Sequence, residues 1–178
     1  MNSIRISSTY PRYLRVLCAI GLGLVAVLQT TAAASVDPVT LVSKAEAIAL
    51  LGQPVTAVTP SSEQVDEDTG GKLMYCALRT EKSALVVSVV SFSSAKEALA
   101  KMTKQHAVER MEGDNAKITE EKGLGDQAFW ATTDLGAEYI VIKGSRVLGL
   151  ALGGKLPNPP ASYREALRKI VISAVAKL

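Results

Sequence analysis

The stretch Ala84-Leu85-Val86-Val87-Ser88-Val89-Val90 decides the fold, because its dense run of β-branched residues is typical of a strand at the centre of a sheet. The predicted strand spans Ser83–Phe92. A second strand is predicted over Lys72–Arg79, and the three residues Thr80-Glu81-Lys82 join the two. A connection this short favours antiparallel pairing.

A second group of strands is predicted further along the chain, over residues 128–133, 137–143 and 146–152. The last two are separated by a tight glycine hairpin at Gly144-Ser145. All of these runs are too close together for parallel strands joined by helical crossovers. A further strand around Val55–Thr59 would complete the first group.

Three helices are predicted from one capping pattern, Ser-x-x-Glu, in which the serine oxygen and the glutamate carboxylate satisfy free amides at the helix start. The three boxes are Ser43–Glu46, Ser94–Glu97 and Ser162–Glu165. The first helix is expected to end at Gly52 and the second near Met111. The third carries an apolar stripe from Leu167 to Leu178 at helical spacing, so it should lie on a hydrophobic surface.

These elements predict an α+β fold, with a mostly antiparallel sheet and three helices packed on one face. Their order is compatible with two strand-strand-strand-helix units after an N-terminal helix. No long linker divides residues 35–178, so we expect a single domain.

The first 34 residues have the pattern of a cleavable signal peptide. Arg5, Arg12 and Arg15 precede an apolar run of about 13 residues, which is too short to span a bilayer. Small residues at Ala32 and Ala34 predict cleavage between Ala34 and Ser35. An uncleaved anchor or a buried helix is the alternative reading of the same run.

The position of Cys18 argues against a lipid anchor. A lipidation site needs a cysteine at the end of the apolar run after a small residue, whereas Cys18 follows Leu17 near its start. We therefore expect a periplasmic or secreted protein that is not lipidated and has no stable membrane anchor after cleavage.

Net charge gives no reason to expect nucleic-acid binding. The chain has 20 basic and 17 acidic residues, and removal of the three N-terminal arginines leaves the two counts equal. The mature domain is then formally neutral, so it lacks the basic excess that nucleic acids attract.

Cys76 is the only cysteine left after cleavage, so it has no intramolecular partner. A lone cysteine in an oxidising compartment is either buried or paired with another chain, and its strand-like surroundings favour burial. His106 is the only histidine and falls on the apolar stripe of the second predicted helix. A single histidine cannot build a zinc site with the usual ligands, so no metal is expected. A nucleophilic pair of Cys76 and His106 remains an open alternative.

The segment Gly123-Leu124-Gly125-Asp126-Gln127-Ala128 matches a dinucleotide-binding fingerprint in letters only. That site requires a buried strand before the glycines and a helix after them, whereas a strand is predicted to follow here. No cofactor is therefore expected. Trp130 follows this loop and is interpreted as a core residue or, alternatively, as an aromatic at a ligand or partner surface, with Asp126 and Gln127 as its polar neighbours.

Several short motifs extend over most of the mature segment: Asp37-Pro38 with Leu41, Ser43 with Glu46-Ala47 and Leu50-Leu51-Gly52, Cys76 in a strand, and the loop from Gly123 to Trp130. This series resembles the small exported actinobacterial lipoproteins of the DUF3558 type and the related sensor-like extracellular domains of mycobacterial kinases. The resemblance implies an envelope-exposed α+β domain that binds ligands or proteins, with no catalytic residues to carry over. Two features depart from it, because Val39 stands where a cysteine usually follows Asp-Pro and because the chain has no lipidation site.

The sequence therefore predicts an exported, non-enzymatic binding or accessory domain whose partner is an envelope protein or a small ligand. Two alternatives remain open: a small hydrolase or redox enzyme that uses Cys76 and His106, and a secreted inhibitor or effector that docks its sheet edge or glycine loop onto a partner protein.

Overall fold

The predicted central strand lies in the middle of a seven-stranded antiparallel sheet in the computed structural model, which describes residues 35–103 and 116–178. Three α-helices and two short 3-10 helices accompany the sheet in these ranges, so the α+β prediction is confirmed. In chain order the elements are a 3-10 helix Pro38–Thr40, α1 Lys44–Leu51, β1 Ala57–Val65, β2 Lys72–Arg79, β3 Ser83–Ser91, α2 Ala95–Lys101, β4 Lys117–Glu121, β5 Gln127–Thr132, β6 Ala137–Lys143, β7 Arg146–Gly154, a 3-10 helix Pro160–Tyr163, and α3 Arg164–Ala176.

The sheet consists of two meanders placed side by side, with the strand order β1-β2-β3-β7-β6-β5-β4. β3 and β7 pair antiparallel along their whole length, from Ser83 opposite Gly154 to Ser91 opposite Arg146. The first meander has three strands before its helix and the second has four. The two expected strand-strand-strand-helix units are therefore unequal, because β4 adds a strand to the second.

The helices occupy both faces of the sheet, which corrects the prediction of three helices on one face. α1 and α3 cover the first face, where Cys76, Val87, Trp130 and Tyr139 belong to one large apolar core. α2 lies on the second face, where Ala98 and Met102 join a smaller core. The sheet residues of that smaller core are Val90, Phe92, Phe129, Ile140, Ile142 and Val147. Every residue of β6 except Lys143 is buried, so both sides of this strand require a cover.

The N-terminal capping prediction is confirmed for α1 and fails for α3. At α1, Ser43 Oγ accepts from the Glu46 amide at 3.1 Å, and the Glu46 carboxylate accepts from the Ser43 amide at 2.8 Å. Ser162 instead donates its hydroxyl to the Pro159 carbonyl, and α3 begins from the preceding 3-10 helix without a side-chain cap. The proline-rich loop before α3 sets this entry, and Ser162 belongs to the 3-10 turn.

α2 is shorter than predicted, since it ends at Lys101 with Met102 as its C-terminal cap. Ser94 caps it as expected, although the Glu97 carboxylate accepts from the Ser93 amide rather than from Ser94. The expected continuation to Met111, including His106, lies outside the described residues. So does the predicted signal peptide up to Ala34, and the cleavage site before Ser35 stays a prediction. The described residues, 35–103 and 116–178, belong to one compact unit with its own apolar cores.

The two edge strands of the sheet were the least visible in the sequence. β1 runs to Val65, far beyond the predicted Thr59, and its register shifts between Thr59 and Ser62, next to Pro60. β4 was not predicted as a strand, because three of its five residues are charged. A bulge with a proline and a short charged strand are both features that discourage pairing with a further chain.

Candidate functional site

The structure does not bring Asp126, Gln127 and Trp130 together on one exposed surface, because Asp126 is exposed, Gln127 is half-buried and Trp130 is buried. Trp130 is 5 % exposed and packs on Tyr139 in the first-face core, with ring centroids 4.8 Å apart. Gln127 belongs to the opposite side of β5, because side chains alternate along a strand. The Asp126 carboxylate accepts a 2.6 Å hydrogen bond from the Gly144 amide. The proposal that Trp130 is a rim aromatic is thus wrong, because its large ring fills the core beneath the helices.

The glycine loop before β5 is explained by packing. Gly125 adopts φ +59°, and a Cβ added there would collide with the Ile142 carbonyl oxygen and lie 2.8 Å from Val141 Cγ1. Leu124 beside it is 4 % exposed and belongs to the first-face core. Together with the Asp126 contact, these features attach the loop to β6 and to the β6–β7 turn. The loop's resemblance to a nucleotide-binding fingerprint therefore has a structural origin.

Cys76 is buried, as the sequence favoured. Its side chain is fully inaccessible, and burial raises the pKa of the thiol to about 11, with a smaller contribution from the Asp37 charge. The thiolate is the nucleophilic form of cysteine, and very little of it exists near neutral pH at such a pKa. In this fold the sulfur is closed off from solvent. His106, the other member of the predicted pair, lies outside the described residues.

A polar cluster around Glu121, which the sequence did not reveal, joins β4 to the start of α3. Arg164 Nε donates to Glu121 Oε1 at 2.9 Å, and Arg168 Nε lies 3.7 Å from Glu121 Oε2. The Glu121 side chain is only 9 % exposed. Burial raises the pKa of the neighbouring Tyr139, although the Arg164 guanidinium acts in the opposite direction. The Tyr139 hydroxyl makes no hydrogen bond of normal geometry among the described residues.

This cluster has a structural role, because it fixes one end of α3 to the sheet while two cations fix the other end. Lys143 Nζ donates to the Val175 carbonyl at 2.8 Å, and Arg146 donates to the backbone oxygen of Leu178. Cations at a helix C-terminus interact favourably with the helix dipole and with its free carbonyls. Contacts of arginine and lysine side chains therefore attach both ends of α3 to the sheet.

An open cleft lies at the end of the sheet where the β5–β6 turn meets the loop between β7 and α3. Its volume is about 370 Å³. We name it the sheet-end cleft. Its lining residues are Asp134, Leu135, Gly154, Lys155, Leu156, Pro157, Asn158, Pro159 and Pro160. Leu135 is 57 % exposed at this site and is one of seven large apolar residues that are exposed among the described residues.

Hydrogen bonds to the scaffold hold both walls of the sheet-end cleft. Thr133 Oγ1 accepts from the amides of Leu135 and Gly136, both at 3.2 Å. On the other wall, the Lys155 amide donates to the Lys82 carbonyl at 2.7 Å. The three prolines further restrict the loop, since each fixes its own φ angle. The cleft is therefore preformed.

A second groove of about 300 Å³ lies between α1 and α3, and its lining residues are Glu46, Ala49, Leu50, Ala166, Lys169 and Ile170. The Glu46 carboxylate already caps α1, and its hydrogen bonds from Ser43 lower its pKa. We regard the sheet-end cleft as the better candidate, because hydrogen bonds to the scaffold hold both of its walls.

Within residues 35–103 and 116–178, no three histidine, cysteine or acidic side chains come together as metal ligands. Nor does any helix in those ranges have the length and apolar character required to cross a membrane.

The fold and the cleft define a class: an α+β domain with one antiparallel sheet, helices on both faces, and a preformed cleft at one end. No protein-family model matches the sequence, and no curated protein matches it either. The resemblance to DUF3558-type proteins therefore stays a prediction. Among solved structures, the extracellular domain of PknH from Mycobacterium tuberculosis superposes with a TM-score of 0.48 at 10 % sequence identity. The superposition covers 78 % of this chain and 92 % of that one. A similarity at this level does not establish a shared function.

Proposed function

We propose that the mature chain is an exported, non-enzymatic domain of the cell envelope that binds a ligand or partner protein at the sheet-end cleft. The observation that carries this proposal is the sheet-end cleft itself, an open cleft of about 370 Å³ with both walls held by hydrogen bonds to the scaffold. Binding residues commonly lie on loops that a rigid scaffold positions. A volume of about 370 Å³ is within the range of small-molecule and side-chain sites.

The rigidity of the cleft supports a binding role, because ordering a flexible loop on binding would reduce affinity. Both walls are already anchored, one through Thr133 and the other through Lys82. A ligand would therefore meet a surface that needs little reorganisation. The apolar side chain of Leu135 would also gain from being covered, at roughly 25 cal/mol per Å² of apolar area.

The environment of Cys76 weighs against the enzymatic alternative. A buried thiol with a pKa raised to about 11 lacks both the access and the ionisation that a nucleophile needs. Docking through a sheet edge is likewise disfavoured, because β1 contains Pro60 and a bulge while β4 is short and charged. The cleft is the better place for recognition.

Export is supported by the sequence of the first 34 residues, in which arginines, an apolar run and small residues follow one another in the order of a signal peptide. The equal numbers of basic and acidic residues in the mature chain favour a protein or small-ligand partner over nucleic acid. We therefore propose that the mature protein acts in the periplasm or outside the cell.

The test is capture of a partner or ligand from the protein's own envelope extract by the immobilised mature chain. Leu135→Ser should abolish a stoichiometric interaction. Ile172→Ser is the matched control, since Ile172 is 48 % exposed on α3 and about 12 Å along the helix from its first residue. Equal capture by both variants would remove the cleft from the proposal. Recovery of no stoichiometric component would contradict the binding function itself.

A further inference from the structure

We draw no further inference here: the strongest candidate, the groove between α1 and α3 that Ala49, Leu50, Ala166 and Ile170 line with apolar side chains, carries none because nothing in the structure shows what covers it.

Discussion

Replacing Gly125 by alanine should destabilise the domain much more than the same change at Gly123. Both glycines lie in the loop before β5 and both have positive φ angles, +59° and +78°. A Cβ at Gly123 would meet no heavy atom within 4 Å. At Gly125 it would collide with the Ile142 carbonyl and come within 2.8 Å of Val141 Cγ1. The pair therefore separates backbone conformation from close packing.

The expected magnitudes follow from these two terms. A left-handed conformation costs an alanine about 1–2 kcal/mol, and this term applies at both positions. Forcing an extra carbon against the backbone of a packed strand adds about 1–3 kcal/mol, and this term applies only to Gly125. We expect a difference of about 2 kcal/mol between the variants, or roughly 4–8 °C in melting temperature for a domain of this size.

The assay is urea unfolding of the mature chain and of both variants, followed by the fluorescence of Trp130, which lies in the core close to this loop. Equal unfolding free energies for Gly125→Ala and Gly123→Ala would refute the packing explanation of the glycine motif. The motif would then need a functional explanation after all.

Three further predictions concern buried groups and helix ends. Because burial raises the Cys76 pKa to about 11, the neutral thiol stabilises the fold below the unfolded pKa near 9 and this contribution is lost as pH rises through 11. Wild type should therefore lose more stability than Cys76→Ala between pH 8 and about 11, and parallel losses in urea unfolding would contradict the burial. Glu121→Gln should cost about 1–3 kcal/mol of unfolding free energy, since it deprives two arginines of a nearly buried partner. The control Glu63→Gln, which breaks an exposed pair with Lys72, should cost under about 1 kcal/mol. Lys143→Ala should reduce hydrogen-exchange protection in the last turn of α3 by about threefold or more, and unchanged protection there would show that its bond to Val175 contributes nothing.

The central strands could be predicted because their apolar, β-branched composition reflects their burial in the sheet. β3 lies inside the sheet with one side buried and the other half-buried for most of its length, and its β-branched residues are typical of such a strand. β2 and β6 were predicted with their observed bounds for the same reason. The tight turn at Gly144 could be recognised from local chemistry alone.

The elements that sequence reasoning missed depend on contacts with distant residues. β4 appears polar because Glu121 is compensated by arginines more than forty residues away in the chain. The face that α2 covers follows from the need to bury Phe129, Ile140 and Ile142, and a helix's own sequence cannot say which side of a sheet it will cover. The third capping box failed because Ser162 has a nearer acceptor in the proline loop.

The sheet-end cleft could not be predicted, because its walls come from two loops about twenty residues apart that only the β6–β7 pairing brings together. One local signal was present, a leucine in the turn between Asp134 and Gly136. Trp130, which the sequence left as either a core residue or a surface aromatic, is a core residue, as large aromatics usually are.

The central claim, that the mature chain binds a component through the sheet-end cleft, is tested most directly by native mass spectrometry of the chain purified gently from its own envelope. We predict the mass of residues 35–178 together with a stoichiometric additional component in the wild type, and the bare chain in Leu135→Ser. A bare wild-type chain, or an equal load on both proteins, would contradict the claim.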